Sequence, residues 1–226
     1  PAAFFPCTAT LGTGKILHAH RIHALRSAMP DAELLPLFLD LAGRLQFEES
    51  AGAILRGSGA AAPYPYDSAE ARALKSLFNY DLPLQEREAL SAAAFEEVFG
   101  AEAPWAERLY MTPAAVRKLA EAGSLGTHTH AHRPLGRLDP GGIKGEIAES
   151  LDILEKTTGR RPSAVSYPYG NALSVSPKVF GIAEECGLKT GFTTERAPGR
   201  ADTPRRAFPR YDAEDLPLGK RPIVDL

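Results

Sequence analysis

The sequence predicts an α/β fold with a parallel sheet, and three observations carry that expectation. From residue 110 onward, short apolar runs alternate with amphipathic stretches of helical period. Two of those stretches open on Thr112-Pro113 and Ser176-Pro177, a capping residue followed by a proline suited to the first helical position, and close at Gly123 and Gly187. Strands alternating with helices of about 10–15 residues build parallel sheets or barrels, with the chemistry where strands end and loops begin.

Taken in order, Ala2 to Cys7 is an apolar run bounded by Thr8-Ala9-Thr10 and Gly12, expected as a buried strand. A chain that opens inside a core strand is expected to have lost upstream sequence. Helices are then expected over about 16–27 and 32–46, the second with Leu34, Phe38, Leu41 and Leu45 at helical spacing. Residues 50–67 are rich in small residues and proline and predict a loop. Two more helices are expected over about 68–80 (apolar face Leu74, Leu77, Phe78) and 84–99 (Leu90, Phe95, Phe99). Residues 16–110 therefore read as a largely helical insertion between two parts of an α/β domain, with no internal repeat.

After residue 110 come a helix carrying Val116 and Leu119, a strand over 125–129, and a helix over about 146–157. Ile143, Ile147, Leu151 and Leu154 form one stripe on that helix. A strand over 163–167, a helix from Ser176-Pro177 to Gly187 and a strand over 189–193 complete the alternation.

Of 226 residues, 26 are Lys or Arg and 28 Asp or Glu, so the formal net charge of −2 argues against a dedicated nucleic-acid binder. No run of about 18 apolar residues is present, so no transmembrane helix is expected. The first residues have neither a basic region nor a long apolar run, so a signal peptide is not expected and a cytoplasmic protein is. Cys7 and Cys186 cannot make a disulfide framework and read as small buried residues. Gly12-Thr13-Gly14-Lys15 is not a phosphate loop, because Ala9 and Ile16 stand where glycine and Ser/Thr are needed.

All six histidines fall into two clusters. His18, His20 and His23 lie on the first predicted helix, where His20 and His23 share a face that lines either a surface or a cleft. His128, His130 and His132 lie at the end of the 125–129 strand. An extended backbone would put all three on one face, whereas a helical turn would pair His128 with His132. Either arrangement suits a divalent metal, zinc foremost, because neutral imidazole binds borderline cations well.

The segment His128-Thr129-His130-Ala131-His132-Arg133-Pro134-Leu135 resembles the His-Thr/Ser-x-x-His motif of NodB-type polysaccharide deacetylases. Leu109-Tyr110-Met111-Thr112 resembles the lead-in to that motif, Ser166-Tyr167-Pro168-Tyr169-Gly170 the family's third motif, and Gly187 to Thr194 its next strand. The resemblance covers about residues 109–212 and the first dozen. It implies one domain over 1–226, a distorted (β/α)7 barrel lacking its first strand and carrying the 16–110 insertion. It also implies hydrolysis of acetyl groups from N-acetylated carbohydrate with a divalent metal, most simply zinc.

In that picture His128 and His132 hold the metal and Thr129 orients the loop. The Tyr169 backbone N–H stabilises the oxyanion, and Tyr167, Pro168 and Gly170 shape the substrate side. Phe208-Pro209-Arg210 resembles the late strand whose arginine supports a catalytic aspartate, which places Arg210 in the catalytic set; a solvated basic loop over 196–210 is the simpler reading. Tyr64, Tyr66, Trp105 and Tyr110 are candidates to stack on a sugar ring or to pack.

The family's Thr-Phe-Asp-Asp-Gly and Leu-x-x-His motifs have no counterpart, so one metal ligand, the base and the general acid go unassigned. Weak metal binding and no appreciable turnover by the chain alone are expected. Two other readings compete. One is a metallohydrolase of amidohydrolase or PHP type using a His-x-His pair, against which stands the absence of any histidine after His132. The other is a catalytically dead carbohydrate-binding remnant.

Overall fold

The fold is that of a computed structural model, which describes residues 2–57, 68–220 and 222–224. The chain divides into two compact units, Thr13–Tyr110 and the remainder, Pro1–Gly12 with Met111–Leu226.

The first unit is helical: α1 (His18–Ala28), α2 (Asp31–Arg44), α3 (Glu48–Arg56), α4 (Ala69–Ser76), α5 (Leu84–Phe99) and α6 (Ala103–Leu109). A π-helical turn, Leu77–Asp81, extends α4. The core takes the predicted stripes: Leu34, Phe38 and Leu41 of α2, Leu74, Leu77 and Phe78, and Leu90 are buried together, while Leu45 lies past the end of α2 and is exposed. Helix α3 corrects the loop expected from residue 50, because Ala53 and Ile54 supply an apolar face that composition alone concealed. Residues 58–67, with Tyr64 and Tyr66, lie outside the described residues. Helix α6 was not foreseen; Trp105 packs edge-on against Phe95 and Phe99, which makes it a packing residue. Tyr110 accepts the Leu17 N–H at 3.0 Å and bonds His20 Nδ1 at 2.7 Å.

The second unit contains α7 (Pro113–Glu121), α8 (Pro140–Thr158), β1 (Ala164–Ser166), α9 (Pro177–Glu185) and β2 (Thr190–Phe192). Thr112 caps α7 by accepting the Ala115 N–H. Asp139 caps α8, so that helix starts at Pro140, just ahead of Ile143 of the predicted stripe, and it ends where Gly159 turns left-handed at φ 71°. Ser176 makes no side-chain cap to α9, contrary to its predicted role. Strands β1 and β2 pair in parallel, Val165 opposite Gly191, and are shorter than the expected runs.

Single-residue parallel bridges extend this ladder at Phe4–Leu125, Thr127–Val165 and Phe192–Phe208. Five segments thus lie side by side in the order 4, 125–127, β1, β2, 208. The expected buried strand over Ala2 to Cys7 is corrected to one bridged residue: Ala2, Ala3 and Phe4 are exposed and burial begins at Cys7. Likewise the expected strand over 125–129 pairs only at Leu125 and Thr127.

One face of this ladder packs on α8 and α9 through Ile143, Ile147, Leu151, Val165, Tyr167, Val179 and Ile182. On the ladder itself the Phe5 and Phe192 ring centroids are 5.7 Å apart. Their segments are three strand spacings apart, about 14 Å in a flat sheet, so the sheet curls and both rings lean toward each other. Gly126 makes room for this, since a Cβ there would lie 2.3 Å from the Phe5 ring. Cys186 is only half-buried, unlike Cys7. No helix among the described residues is long and apolar enough to cross a membrane.

Candidate metal centre

Every predicted site residue follows the carboxyl end of a parallel segment: His128 after Thr127, the 167–170 turn after β1, Arg210 after Phe208. Parallel order makes this inevitable, because all loops at one end of the sheet then converge there.

The histidine loop resolves the question that spacing left open. The His128 and His132 rings stand edge to face with centroids 4.9 Å apart. His130 turns away: its Nδ1 lies 2.9 Å from Thr8 Oγ1 and its Nε2 3.5 Å from Glu149 Oε1. The pairing of His128 with His132 comes from a tight loop in which Thr129 (φ 63°) and His132 (φ 57°) adopt left-handed backbone. For a residue with a side chain this costs about 1–2 kcal/mol, so the surroundings must hold the loop in place.

They do so on three sides. Along the first segment the His128 N–H donates to Pro6 O at 3.0 Å, the Thr8 N–H to Thr129 O and the Ala9 N–H to His130 O. The Cys7 thiol donates to His128 O at 3.1 Å, and burial pushes its pKa up, with Glu146 adding to the rise. Beneath, Thr127 Oγ1 accepts the Thr129 N–H and pairs with Ser150 Oγ of α8. From α8, Glu146 Oε2 accepts the Ala131 N–H at 2.8 Å and the Glu146 carbonyl accepts the His130 N–H at 3.1 Å. Ordinary helix-face reasoning missed Glu146; the signal was a carboxylate in line with the apolar Ile143–Ile147 stripe of α8.

His128 Nδ1 lies 2.5 Å from Ser166 O. A carbonyl accepts only, so Nδ1 carries the proton and Nε2 presents its lone pair. This is the tautomer and restraint that a ligating imidazole needs. Arg210 Nη1 in turn donates to Ser166 Oγ at 3.0 Å, so Arg210 supports the residue that orients His128. Burial lowers the Arg210 pKa while Asp212 raises it; a guanidinium stays charged at neutral pH all the same.

The 167–170 turn departs from the expected substrate wall. Tyr167 is fully buried in the core beside Phe180, and burial pushes its phenol pKa up. Pro168 and Gly170 are buried too. A Cβ on Gly170, whose φ is 59°, would lie 2.7 Å from Thr194 N. Its freedom therefore accommodates the neighbouring strand rather than a ligand. Tyr169 is the partly exposed member, at φ 60° and with its ring centroid 4.7 Å from that of His132.

The basic loop is tied down at two points: Arg196 bonds the fully buried Asp215, and Arg206 meets Glu184 at 2.7 Å. In the helical unit His18 is buried 3.4 Å from Glu88, whereas His20 and His23 are exposed.

A pair of oriented imidazoles suits a divalent cation. Among the described residues, no group of three or more His, Cys, Asp or Glu side chains is placed to hold a metal ion, so the pair supplies two ligands where a catalytic zinc normally takes three.

The polysaccharide deacetylase family matches residues 89–191. Solved structures that the chain resembles include the BpsB deacetylase domain from Bordetella bronchiseptica (22% identity, TM-score 0.40, covering 45% of this chain and 48% of that one). Another is the Streptococcus pyogenes deacetylase PplD in complex with acetate (23% identity, TM-score 0.41, 51% and 46%), and a third IcaB from Ammonifex degensii (17%, TM-score 0.36, 46% and 49%). The chain thus spans about half the length of each. No match was found among curated proteins. The match to the polysaccharide deacetylase family over residues 89–191 takes in both paired histidines and the Pro-Tyr-Gly turn.

Proposed function

We propose that this chain is a metal-dependent hydrolase that removes acetyl groups from N-acetylated carbohydrate, with His128 and His132 as its metal ligands. One observation carries the reading: the two rings converge, with the Nδ1 proton of His128 held by Ser166 O so that Nε2 keeps its lone pair, inside the segment that matches the family. The turning away of His130 disfavours the His-x-His pairing of amidohydrolase-type sites.

A divalent ion held there, zinc by its affinity for imidazole, supplies Lewis-acid polarisation of the acetamide carbonyl and a more acidic water. The chain's own residues do the rest. Ser166 O keeps His128 in one tautomer. Arg210 pins the Ser166 side chain. The Tyr169 backbone N–H is the proposed donor to the oxyanion, and its left-handed φ aims that peptide in a direction an ordinary strand end would not. Tyr167, Pro168 and Gly170 stiffen the turn from below.

We further propose that the five-segment parallel ladder is part of a distorted (β/α)7 barrel spanning residues 1–226, with 16–110 as its insertion. Its support is the inward curl that brings Phe5 to Phe192. Because no third ligand joins the two imidazoles among the described residues, we expect weak zinc binding and no appreciable turnover by the chain alone.

The test is zinc titration together with acetate release from an N-acetylhexosamine oligomer, with and without chelator. Zinc binding and chelator-sensitive acetate release support the reading. Oligomer binding without acetate release identifies a carbohydrate-binding remnant instead, and acetate release indifferent to chelator contradicts the metal role.

A further inference from the structure

We propose that Glu146 is the positioning residue of the histidine loop: it acts on the metal through His132, from inside α8, and so rests on the metal reading above for its purpose though not for its geometry. Glu146 is 5% exposed. Its Oε2 accepts the Ala131 N–H at 2.8 Å, its main-chain carbonyl accepts the His130 N–H at 3.1 Å, and its Oε1 lies 3.4 Å from Arg133 Nε. One helical residue therefore fixes the loop on both sides of His132.

That loop runs between two left-handed residues, Thr129 and His132. Such backbone persists only where its surroundings over-determine it. The constraint is mutual, because a buried carboxylate deprived of donors is costly. The His130 N–H and the Ala131 N–H belong to the two successive peptides that lead into His132, so anchoring both fixes the backbone from which that imidazole projects. Glu146 does not itself join the histidine pair in any group of three potential ligands among the described residues.

Two substitutions separate reach from charge. Glu146→Gln keeps an oxygen at the same distance along the side chain, so it still accepts the Ala131 N–H. Glu146→Asp keeps the charge but is one methylene short. The full chain is assayed for zinc affinity by competition with a chromogenic chelator, and the metal-free chain for hydrogen exchange at the Ala131 amide. Wild type and His132→Ala are measured first.

Zinc affinity within about threefold of wild type is expected for E146Q, and a loss of about tenfold or more for E146D, the range typical of residues that orient a metal ligand. Ala131 amide protection should persist in E146Q and vanish in E146D. Wild-type affinity in E146D, or equal losses in both variants, overturns the proposal. If E146D does not fold, E146Q decides: a tenfold loss contradicts positioning by reach, and retained affinity with a protected amide supports it. If wild type binds no zinc, or His132→Ala binds it unchanged, the metal reading fails and the exchange arm alone judges Glu146.

Discussion

The helical unit and the α/β unit both bury apolar side chains, yet their backbones behave in opposite ways. In the helical unit, long amphipathic helices bury Leu34, Phe38, Phe78 and Leu90 completely, and Gln46 alone among the described non-glycine residues has left-handed backbone. In the α/β unit the strands are three residues each, and Thr129, His132, Tyr169 and Leu218 are all left-handed. Three of those four belong to the histidine loop or to the turn that touches it. Strain gathered at one place, with hydrogen bonds from three elements holding it, marks a site built for geometry rather than for stability. The contrast teaches where each unit is vulnerable: the first through its core volume, the second through single contacts.

The contrast can be broken most forcefully in the helical core. Phe38→Ala empties a fully buried site against Phe78 and should cost about 3–5 kcal/mol in chemical denaturation. If denaturation instead resolves two separate transitions, only one of them should move.

A smaller loss is expected at the turn. Gly170→Ala forces a Cβ to within 2.7 Å of Thr194 N at a φ of 59°, at a cost of about 2–3 kcal/mol. A Tm equal to that of wild type would show that the turn yields freely, contrary to its role as a rigid platform.

Relief of strain should have the opposite sign where strain serves nothing. Gln46→Gly, just past the end of α2 at φ 59°, is expected to stabilise the chain by about 0.5–1 kcal/mol. A loss of stability there would show that left-handed backbone is no burden in this protein and would weaken the argument for the histidine loop.

The smallest effect is on pH dependence. Desolvation of the His20 ring where it packs on Tyr110 lowers its pKa from 6.5, although the residue as a whole remains exposed. The unfolded chain then binds the proton more readily, so the contribution of His20 to stability is present above about pH 6.5 and fades as pH falls through the lowered folded value. His20→Asn should flatten the change in Tm between pH 8 and pH 5.5. An unchanged slope would assign it to other groups.

Much of the fold was legible because its signals are local. Leu34, Phe38 and Leu41 at helical spacing, and Thr112-Pro113 before α7 with Gly123 after it, each fix their element through sterics or capping that involve no distant partner. Helix α3 was hidden because its apolar face is small, Ala53 and Ile54, and the glycines, alanines and prolines that follow it set the composition of the stretch. The strand at Ala2 to Cys7 misled because apolar content shows only that burial is available, whereas the exposure of Phe4 depends on which segments lie beside it.

At the site, the pairing of His128 with His132 was within reach of the sequence through its resemblance to a family motif, whereas spacing alone left the partner open. Spacing allowed His128 to share a face with His130 or with His132, and left-handed backbone at Thr129 and His132 decides between them. Glu146 and Ser166 act through contacts 15 and 38 residues away in sequence, and no local pattern announces such partners. Tyr167 and Gly170, by contrast, match a motif whose residues face inward here.

The proposed metal site is formed by His128 and His132, and not by His130. Zinc affinity of the wild type against His128→Ala, His130→Ala and His132→Ala, read by competition with a chromogenic chelator, tests it most directly. Loss of about tenfold or more is expected for His128→Ala and His132→Ala, since each removes one of few ligands, and a change below about threefold for His130→Ala. A loss confined to His130→Ala, or equal affinity in all four proteins, would contradict the account.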